Sequence, residues 1–219
     1  MHKVPASTRA VTASLVNACH KLATLGFVAA TDGNVSARLN SRTILITRGG
    51  LPKGEAKSSD VVSVRLTGAP RGRDGRASSE LPMHLALYRA SPRIGAVVHA
   101  HPPYATAFAV SGRRLTPNVF PEVLLEFGNI PLVRYAMPSS EELGTMVARY
   151  ADTCAAALLA NHGAVAWGRT VSEALRRMEK LEHAARVEFY ASILGGVNRL
   201  TPEQVSDLRS NHPHVVRTA

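Results

Sequence analysis

The 219-residue chain has few cysteines, few aromatic residues and no long apolar segment. Its two cysteines, Cys19 and Cys154, stand far apart and outside any Cys-x-x-Cys spacing, which excludes a disulfide framework and fits a reducing compartment. No stretch is apolar enough to cross a bilayer, and the first thirty residues lack the basic start, apolar run and cleavage site of a signal peptide. We therefore expect a cytoplasmic protein with no membrane partner.

Acidic residues are also scarce, since 26 Lys and Arg oppose 16 Asp and Glu for a formal net charge of +10. A nucleic-acid partner is nevertheless not expected, because the basic residues are scattered, aromatic residues make up only 5%, and no nucleic-acid-binding motif is present. A positive surface instead attracts a small anionic substrate. The basic segment 71–76 contains Asp74-Gly75, which predicts a solvated hairpin turn.

The chain predicts one domain over residues 1–219, with a flexible tail at about 210–219, because it contains no linker, low-complexity tract or internal repeat. Apolar periodicity and capping signals predict helices at about 6–25, 78–90, 104–110, 139–150 and 170–189. Strands are predicted at about 35–39, 43–47, 61–66, around His99, and at 130–135 and 155–160. Successive early strands, without a Gly-x-Gly-x-x-Gly motif, indicate an α/β protein of the α+β type. A central mixed or antiparallel sheet would be flanked by helices.

Three histidines have the spacing of a metal site. His99 and His101 lie two residues apart in an apolar strand and so point to one face, and His162 follows a second predicted strand in Asn161-His162-Gly163. A single histidine is more often a surface or hydrogen-bonded residue, and His84, for example, belongs to a predicted helix. Two imidazoles buried in a Val-rich strand need partners, however, and one cation satisfies both. Three protein nitrogens leave coordination positions open, as in catalytic zinc sites.

Three polar segments have the composition of anion-binding loops. They are Thr31-Asp32-Gly33-Asn34-Val35-Ser36, Thr47-Arg48-Gly49-Gly50 and Ser78-Ser79-Glu80. Glycines allow a backbone to approach a ligand closely, and hydroxyls and amides at a helix start can hold a phosphate. A carboxylate beside them can move protons. Each segment alone is also consistent with an ordinary turn or helix cap.

In this order, the motifs resemble those of the class II aldolase/adducin family. The matching residues run from Gly33-Asn34-Val35-Ser36 through Ile44-Leu45-Ile46-Thr47, Ser78-Ser79-Glu80 and Val97-Val98-His99-Ala100-His101 to Asn161-His162-Gly163. The resemblance implies the family's fold and a homotetramer with active sites at subunit interfaces. It further implies Zn2+, or another divalent metal such as Mn2+ or Co2+, held by His99, His101 and His162. Glu80 would be the acid/base, and the phosphate would be bound by Gly33, Asn34, Gly49, Gly50, Ser78 and Ser79.

The activity implied by the resemblance is that of a zinc-dependent aldolase. Such an enzyme cleaves or forms a C–C bond of a ketose phosphate, with dihydroxyacetone phosphate and an aldehyde as partners, through an enediolate. A sugar-phosphate epimerase and a sugar-acid phosphate decarboxylase use the same chemistry and are the alternatives within the family. An adducin-like scaffold would need no metal, and the presence of all three histidines and Glu80 argues against it.

Two positions depart from the aldolases of the family. The second phosphate loop has Gly49-Gly50 where a hydroxyl residue is usual, and backbone amides, Arg48 or Lys53 are the candidates to compensate. The tyrosine that a neighbouring subunit offers to the leaving aldehyde is not recognisable in the segment 118–122. Glu122 is the candidate substitute there.

Overall fold

The computed structural model describes residues 6–67 and 77–212. Seven strands in this part of the chain form one sheet: β1 (Asn34–Asn40), β2 (Thr43–Thr47), β3 (Val61–Arg65), β4 (Ala96–Ala100), β5 (Leu132–Val133), β6 (Ala156–Leu159) and β7 (Gly163–Gly168). Their order across the sheet is β3-β2-β1-β4-β7-β6-β5. All neighbouring strands are antiparallel except β5 and β6, so the sheet is mixed.

Seven α-helices accompany the sheet within the same residues. They are α1 (Ala6–Thr24), α2 (Leu81–Ala90), α3 (Pro103–Val110), α4 (Pro121–Phe127), α5 (Glu141–Ala148), α6 (Val171–Ile193) and α7 (Pro202–Asn211). Helices α1, α3 and α6 pack on one face of the sheet, whereas α2 and α5 pack together over the other. Every helix in these residues is too short or too polar to cross a bilayer.

The strand pleat divides the core between the two faces of the sheet. Val98 belongs to the apolar cluster that includes α1 and α6, and its neighbour Val97 belongs to the cluster formed with α2 and α5. Both valines are fully buried, as expected for a central strand covered on both sides. The predicted fold class is therefore confirmed, with a mixed sheet between helices in one domain.

Several elements differ from the sequence prediction. The predicted strand at 130–135 is reduced to Leu132–Val133, since Pro131 has no N–H to donate to a ladder and the chain leaves the sheet after Val133. Strand β7 was not predicted, because its sequence, Gly163-Ala-Val-Ala-Trp-Gly168, is poor in strand-forming residues. Helix α4 was not predicted either.

Helix α7, at the C-terminal end of the described chain, is a further element that was not predicted. Helix α7 begins with a capping box formed by Thr201 and Gln204 and extends to Asn211, so it includes the first residues of the predicted flexible tail. Residues 213–219 of that tail lie outside the described residues, as does the hairpin turn predicted for 71–76.

The sheet register brings the polar segments together at one end of its central strands. Asn34, the first residue of β1, pairs with His99 near the end of β4, and His99 pairs with Val165 of β7 on the other side. An isolated bridge between Arg48 and Ala77 brings the loop that follows β2 beside the segment that precedes α2. The strand ends and the start of α2 therefore surround one cleft.

Candidate active site

Three imidazole rings converge at the end of β4. The ring centroid of His99 lies 5.0 Å from that of His101 and 4.7 Å from that of His162, and the last two are 5.1 Å apart. One ring nitrogen from each histidine lies within 4.8 Å of the others. This grouping follows from the two-residue strand period for His99 and His101, and from the β6–β7 turn for His162.

Local backbone geometry in the β6–β7 turn allows His162 to reach the other two rings. Asn161 has a φ of 57°, in the left-handed region that asparagine tolerates better than most residues. Gly163 follows, where a Cβ would lie 2.5 Å from Cδ2 of His101 and 2.8 Å from the carbonyl oxygen of Ala100. Only glycine therefore allows the His101 ring to lie against this backbone.

Hydrogen bonds to His99 and His101 orient their free lone pairs toward each other. Nδ1 of His99 lies 2.9 Å from the carbonyl oxygen of Ala164 and must donate, because a carbonyl only accepts. Nδ1 of His101 lies 3.3 Å from Oδ2 of Asp32, which also accepts. In neutral rings, both Nε2 atoms then carry lone pairs, and they face each other 3.2 Å apart. A cation between them removes this repulsion.

The donor set fits a divalent metal ion. Two nitrogens bound tetrahedrally to zinc at about 2.0–2.1 Å lie about 3.3 Å apart, close to the separation of the two Nε2 atoms. Burial, with repulsion from the neighbouring imidazoles, lowers the pKa of His99 well below its ordinary value. Burial and His101 lower the pKa of His162 to about 4. These rings are therefore neutral near pH 7, the form that binds metals. Nδ1 of His162 is buried without a hydrogen-bond partner among the described residues.

Glu80 lies across the cleft from the imidazoles, at the N-terminus of α2. Its side chain is buried, and Oε1 accepts a hydrogen bond of 2.9 Å from the hydroxyl of Ser139. The other oxygen, Oε2, is buried without a hydrogen-bond partner in the described part of the chain. Burial raises the pKa of Glu80, and the hydrogen bonds from Ser139 lower it in part. The carboxyl group therefore holds a proton more readily than an exposed glutamate does.

Ser139 was not recognised from the sequence, where it only began a predicted helix. Its φ is 68°, an uncommon value for a residue other than glycine, and strained backbone of this kind often accompanies a functional site. Ser139 comes just before the serine that caps α5, and 59 residues separate it from its partner Glu80. No local sequence signal indicates this contact.

The metal, acid/base and phosphate-loop residues predicted from the sequence all line one cleft of about 240 Å³. They are Gly33, Asn34, Gly49, Gly50, Ser78, Ser79, Glu80, His99, His101 and His162. Gly33 has a φ of 72°, and a Cβ there would lie 2.9 Å from the carbonyl oxygen of His99. The first polar loop therefore packs directly against the strand that carries the imidazoles.

Two cations near the second loop have different surroundings. Arg48 lines the cleft, with Nε donating to Asp60 over 2.6 Å and Nη1 to the carbonyl oxygen of Gly49 over 3.3 Å. Lys53 is buried, and its Nζ donates to the carbonyl oxygens of Thr31 and Leu51 over 3.0 Å and 2.6 Å. Of the two side chains that could compensate for the missing hydroxyl, Arg48 therefore lines the cleft, whereas the buried Lys53 connects two neighbouring loops through its hydrogen bonds.

Two further residues, Asp32 and His84, adjoin the site in ways that the sequence did not reveal, whereas Glu122 lies outside it. Asp32 lines the cleft and contacts His101. His84, assigned to a helix without a role, is fully buried behind Asn34, and burial lowers its pKa to about 3. Glu122, the candidate second acid/base, is exposed in the first turn of α4 and does not line the cleft of its own chain.

Comparison with known proteins identifies related enzymes. The chain is 35% identical over 191 residues to the 3-oxo-tetronate 4-phosphate decarboxylase of Escherichia coli K12, which covers 84% of this chain and 88% of the relative. The structure of YgbL from Escherichia coli, described as an aldolase, epimerase or decarboxylase, matches 92% of this chain and 99% of its own with a TM-score of 0.84 and 30% identity. An L-fuculose 1-phosphate aldolase structure matches 93% of this chain and 96% of its own, with a TM-score of 0.84 and 27% identity.

The family model of the class II aldolase and adducin N-terminal domain matches residues 13–189, a range that includes all three imidazoles, Glu80 and the polar loops. This range spans most of the chain, and the relatives share both its length and its fold. The chain therefore belongs to the class II aldolase and adducin N-terminal domain family.

Proposed function

We propose that this chain is a metal-dependent lyase that decarboxylates a 3-oxo sugar-acid phosphate. The observation that carries this proposal is the cleft itself, in which three imidazoles, one buried carboxyl group and three polar loops face one another. The similarity to a 3-oxo-tetronate 4-phosphate decarboxylase supports the choice of substrate class. For a four-carbon 3-oxo acid 4-phosphate, the products would be carbon dioxide and dihydroxyacetone phosphate.

The metal would be bound by His99, His101 and His162. A bound divalent cation would withdraw electron density from the substrate carbonyl and so favour loss of the neighbouring carboxylate. Three imidazole nitrogens favour Zn2+ as the proposed ion, with Mn2+ or Co2+ as the alternatives. Nδ1 of His99 and Nδ1 of His101 are held by Ala164 and Asp32, so Nε2 of each ring stays directed at the cation position.

Glu80 would supply the proton that completes the reaction. When the bond between C1 and C2 of the substrate breaks, carbon dioxide leaves and the electron pair remains with C2, next to the carbonyl carbon C3. Glu80 then transfers its carboxyl proton to C2 and recovers a proton from water. Its burial, which raises its pKa, keeps a larger fraction of the group protonated before this step.

The polar loops would bind the phosphate at the other end of the substrate. Asn34, Ser78 and Ser79 offer side-chain donors, and the Gly49-Gly50 segment offers backbone N–H groups near the Arg48 guanidinium. Hydrogen bonds to a charged group are worth about 1.5–3 kcal/mol each. Several such contacts would hold the reacting carbons against the metal and Glu80.

Aldol cleavage of a ketose phosphate, the reaction expected from the sequence, is the second candidate. The likeness to L-fuculose 1-phosphate aldolase favours it. Aldol cleavage, however, needs a group that removes a hydroxyl proton from the departing aldehyde as well as a group that protonates the remaining carbon. Decarboxylation needs only the second group, which Glu80 can provide. Because Asp32 is engaged by His101 and Glu122 lies outside this chain's own cleft, we place decarboxylation first.

The two reactions are distinguished by assaying one zinc-loaded preparation with both substrate classes. We expect carbon dioxide and dihydroxyacetone phosphate from 3-oxo-tetronate 4-phosphate, and slower or no cleavage of fuculose and ribulose 1-phosphates. Cleavage of a ketose phosphate without decarboxylation would establish the aldolase instead. A folded protein that takes up no zinc when the ion is supplied, and that acts on neither substrate class, would indicate a scaffold.

Variants test the roles of individual residues in the same assay. Glu80→Gln should retain zinc and lose most turnover, whereas Glu141→Gln, at an exposed glutamate in the first turn of α5, should retain both. His99→Ala should lose zinc and activity together, and His183→Ala, at an exposed histidine of α6, is its matched control. Full turnover of Glu80→Gln would move the acid/base role to another residue.

The assembly and location of the protein remain predictions. The family resemblance implies a homotetramer with active sites between subunits, which light scattering coupled to gel filtration would test. A mass of one chain, about 23.4 kDa, would contradict it.

A further inference from the structure

Four buried polar side chains, beginning with Asn34, form a continuous hydrogen-bonded network behind the cleft. Oδ1 of Asn34 is 2.6 Å from Nε2 of His84, and Nδ1 of His84 is 2.6 Å from the hydroxyl of Ser36. The same hydroxyl lies 2.9 Å from the hydroxyl of Tyr88. Asn34 is 4% exposed and the other three residues are at most 2% exposed, so water cannot replace these contacts. Of these four residues, Asn34 alone lines the cleft.

The residue spacing in one strand and one helix places the members of this network next to one another. Asn34 and Ser36 lie two residues apart in β1 and therefore point to the same face of the sheet. His84 and Tyr88 lie four residues apart in α2 and therefore occupy the same side of the helix. Where α2 packs over this face, the two pairs meet in alternating order.

Hydrogen-bond donors and acceptors fix the direction of the protons. The side-chain oxygen of Asn34 only accepts, so Nε2 of His84 carries the ring proton. Burial lowers the pKa of His84 to about 3, so the ring is neutral and its Nδ1 must accept from the Ser36 hydroxyl. The Ser36 oxygen in turn accepts from the Tyr88 hydroxyl.

The opposite direction leaves one proton without an acceptor. If the Asn34 amide were reversed, its NH2 group would donate to His84, His84 would donate to Ser36, and Ser36 would donate to Tyr88. The Tyr88 hydroxyl proton would then have no side-chain or backbone acceptor among the described residues. An unsatisfied buried hydroxyl costs about 1–3 kcal/mol, which favours the first direction.

From this geometry we infer that His84 is a positioning residue, which holds the Asn34 amide oxygen inside the protein and so directs the two N–H donors of the amide into the cleft. The inference rests on the proposed function, in which these donors bind the substrate phosphate. An amide free to rotate would present its oxygen to the anion part of the time, and that oxygen repels a phosphate. His84 therefore acts on the ligand through Asn34, without touching it.

Binding of inorganic phosphate to the zinc-loaded protein, measured by calorimetry, tests the inference through a double-mutant cycle. Asn34→Ala should weaken phosphate binding about tenfold to a hundredfold, because it removes a charge-assisted hydrogen bond. His84→Leu should weaken it about tenfold. The double variant should bind no more weakly than Asn34→Ala alone, since His84 acts through that amide.

Two controls separate positioning from general stability. Leu85→Ala removes a neighbouring buried side chain of α2 and should lower the free energy of unfolding while leaving phosphate affinity unchanged. His84→Gln retains a side-chain N–H that can reach Asn34, and it should recover most of the affinity. Normal affinity in His84→Leu, or additive losses in the double variant, would overturn the inference while leaving the phosphate-binding cleft intact.

Nitrogen NMR of the wild-type protein provides a test that requires no variant to fold. We expect the His84 ring to be neutral with its proton on Nε2 between pH 6 and pH 8. A proton on Nδ1 would mean that the amide faces the other way and would overturn the inference. If wild-type protein did not bind phosphate while Asn34 and His84 had the expected orientation, the proposed phosphate site itself would be wrong.

Discussion

Replacing Gly163 with alanine should damage the proposed metal site more than the fold. A Cβ at this position would lie 2.5 Å from Cδ2 of His101 and 2.8 Å from the carbonyl oxygen of Ala100. Both distances are well inside van der Waals contact, so the imidazole or strand β4 must move. The two Nε2 atoms of His99 and His101 are 3.2 Å apart, and a shift of a few tenths of an ångström spoils their match to one ion.

The expected effect has two measurable parts. Overpacking a core typically costs about 1–3 kcal/mol, which chemical denaturation of the metal-free protein would report as a lower free energy of unfolding. Displacement of a metal ligand should raise the zinc dissociation constant about tenfold to a hundredfold, as loss of an orienting contact does. Competition with a chromophoric chelator measures this second quantity directly.

Gly168→Ala is the matched control, because it adds the same methyl group at the other end of β7. There a Cβ would lie 3.0 Å from Cγ of Glu173 and 3.1 Å from the backbone nitrogen of Ala174, far from the imidazoles. We expect this variant to lose stability but to bind zinc with wild-type affinity. Equal zinc affinities in both variants would refute the idea that Gly163 is required for the position of His101.

Substitutions at three further residues address contacts around the cleft. Asp32→Ala should raise the zinc dissociation constant about tenfold, because it removes the acceptor that holds Nδ1 of His101. Asp32→Asn keeps an acceptor and should raise the dissociation constant less, as competition with a chelator would show. Ser139→Ala and Ser139→Gly should both shift the alkaline limb of the turnover profile to higher pH, because each removes a hydroxyl that lowers the pKa of Glu80, the proposed general acid. Only glycine also tolerates the φ of 68°, so denaturation should find Ser139→Gly the more stable of the two by about 1 kcal/mol. The free energy of unfolding should fall as pH drops from 6.5 towards 3, because His84 gains a proton in the unfolded chain but not in the folded protein, where its pKa is about 3. This loss is at most about 1.4 kcal/mol per pH unit. The variant His84→Gln should lack this contribution. If the free energy of unfolding of His84→Gln fell with pH as steeply as that of the wild type, the assignment of His84 as a buried neutral ring would be wrong.

Local sequence patterns were sufficient for the elements and residues that depend on them. The two-residue period of a strand placed His99 and His101 on one face, and Gly163 marked the turn that delivers His162. Strands β1 to β3 could be predicted as short segments rich in apolar residues and bounded by Gly, Asn, Pro or Ser, and the structure pairs them antiparallel. Each of these features is determined by residues within a few positions of one another.

Contacts between distant segments could not be predicted in the same way. Ser139 reaches Glu80 across 59 residues, and His84 reaches Asn34 across 50. Both depend on how α2 packs over the sheet, which no single segment determines. In retrospect, Asn34 with Ser36 and His84 with Tyr88 show matching strand and helix periods, and this is the one signal that could have suggested the buried network.

Zinc stoichiometry by inductively coupled plasma mass spectrometry, with the ligand shell measured by X-ray absorption, tests the central claim most directly. Wild-type protein should carry about one zinc ion per chain, bound by three imidazole nitrogens at about 2.0–2.1 Å, and each single alanine variant of His99, His101 and His162 should lose it. A wild-type protein that stays free of metal in equimolar zinc, or variants that keep the ion, would contradict the account.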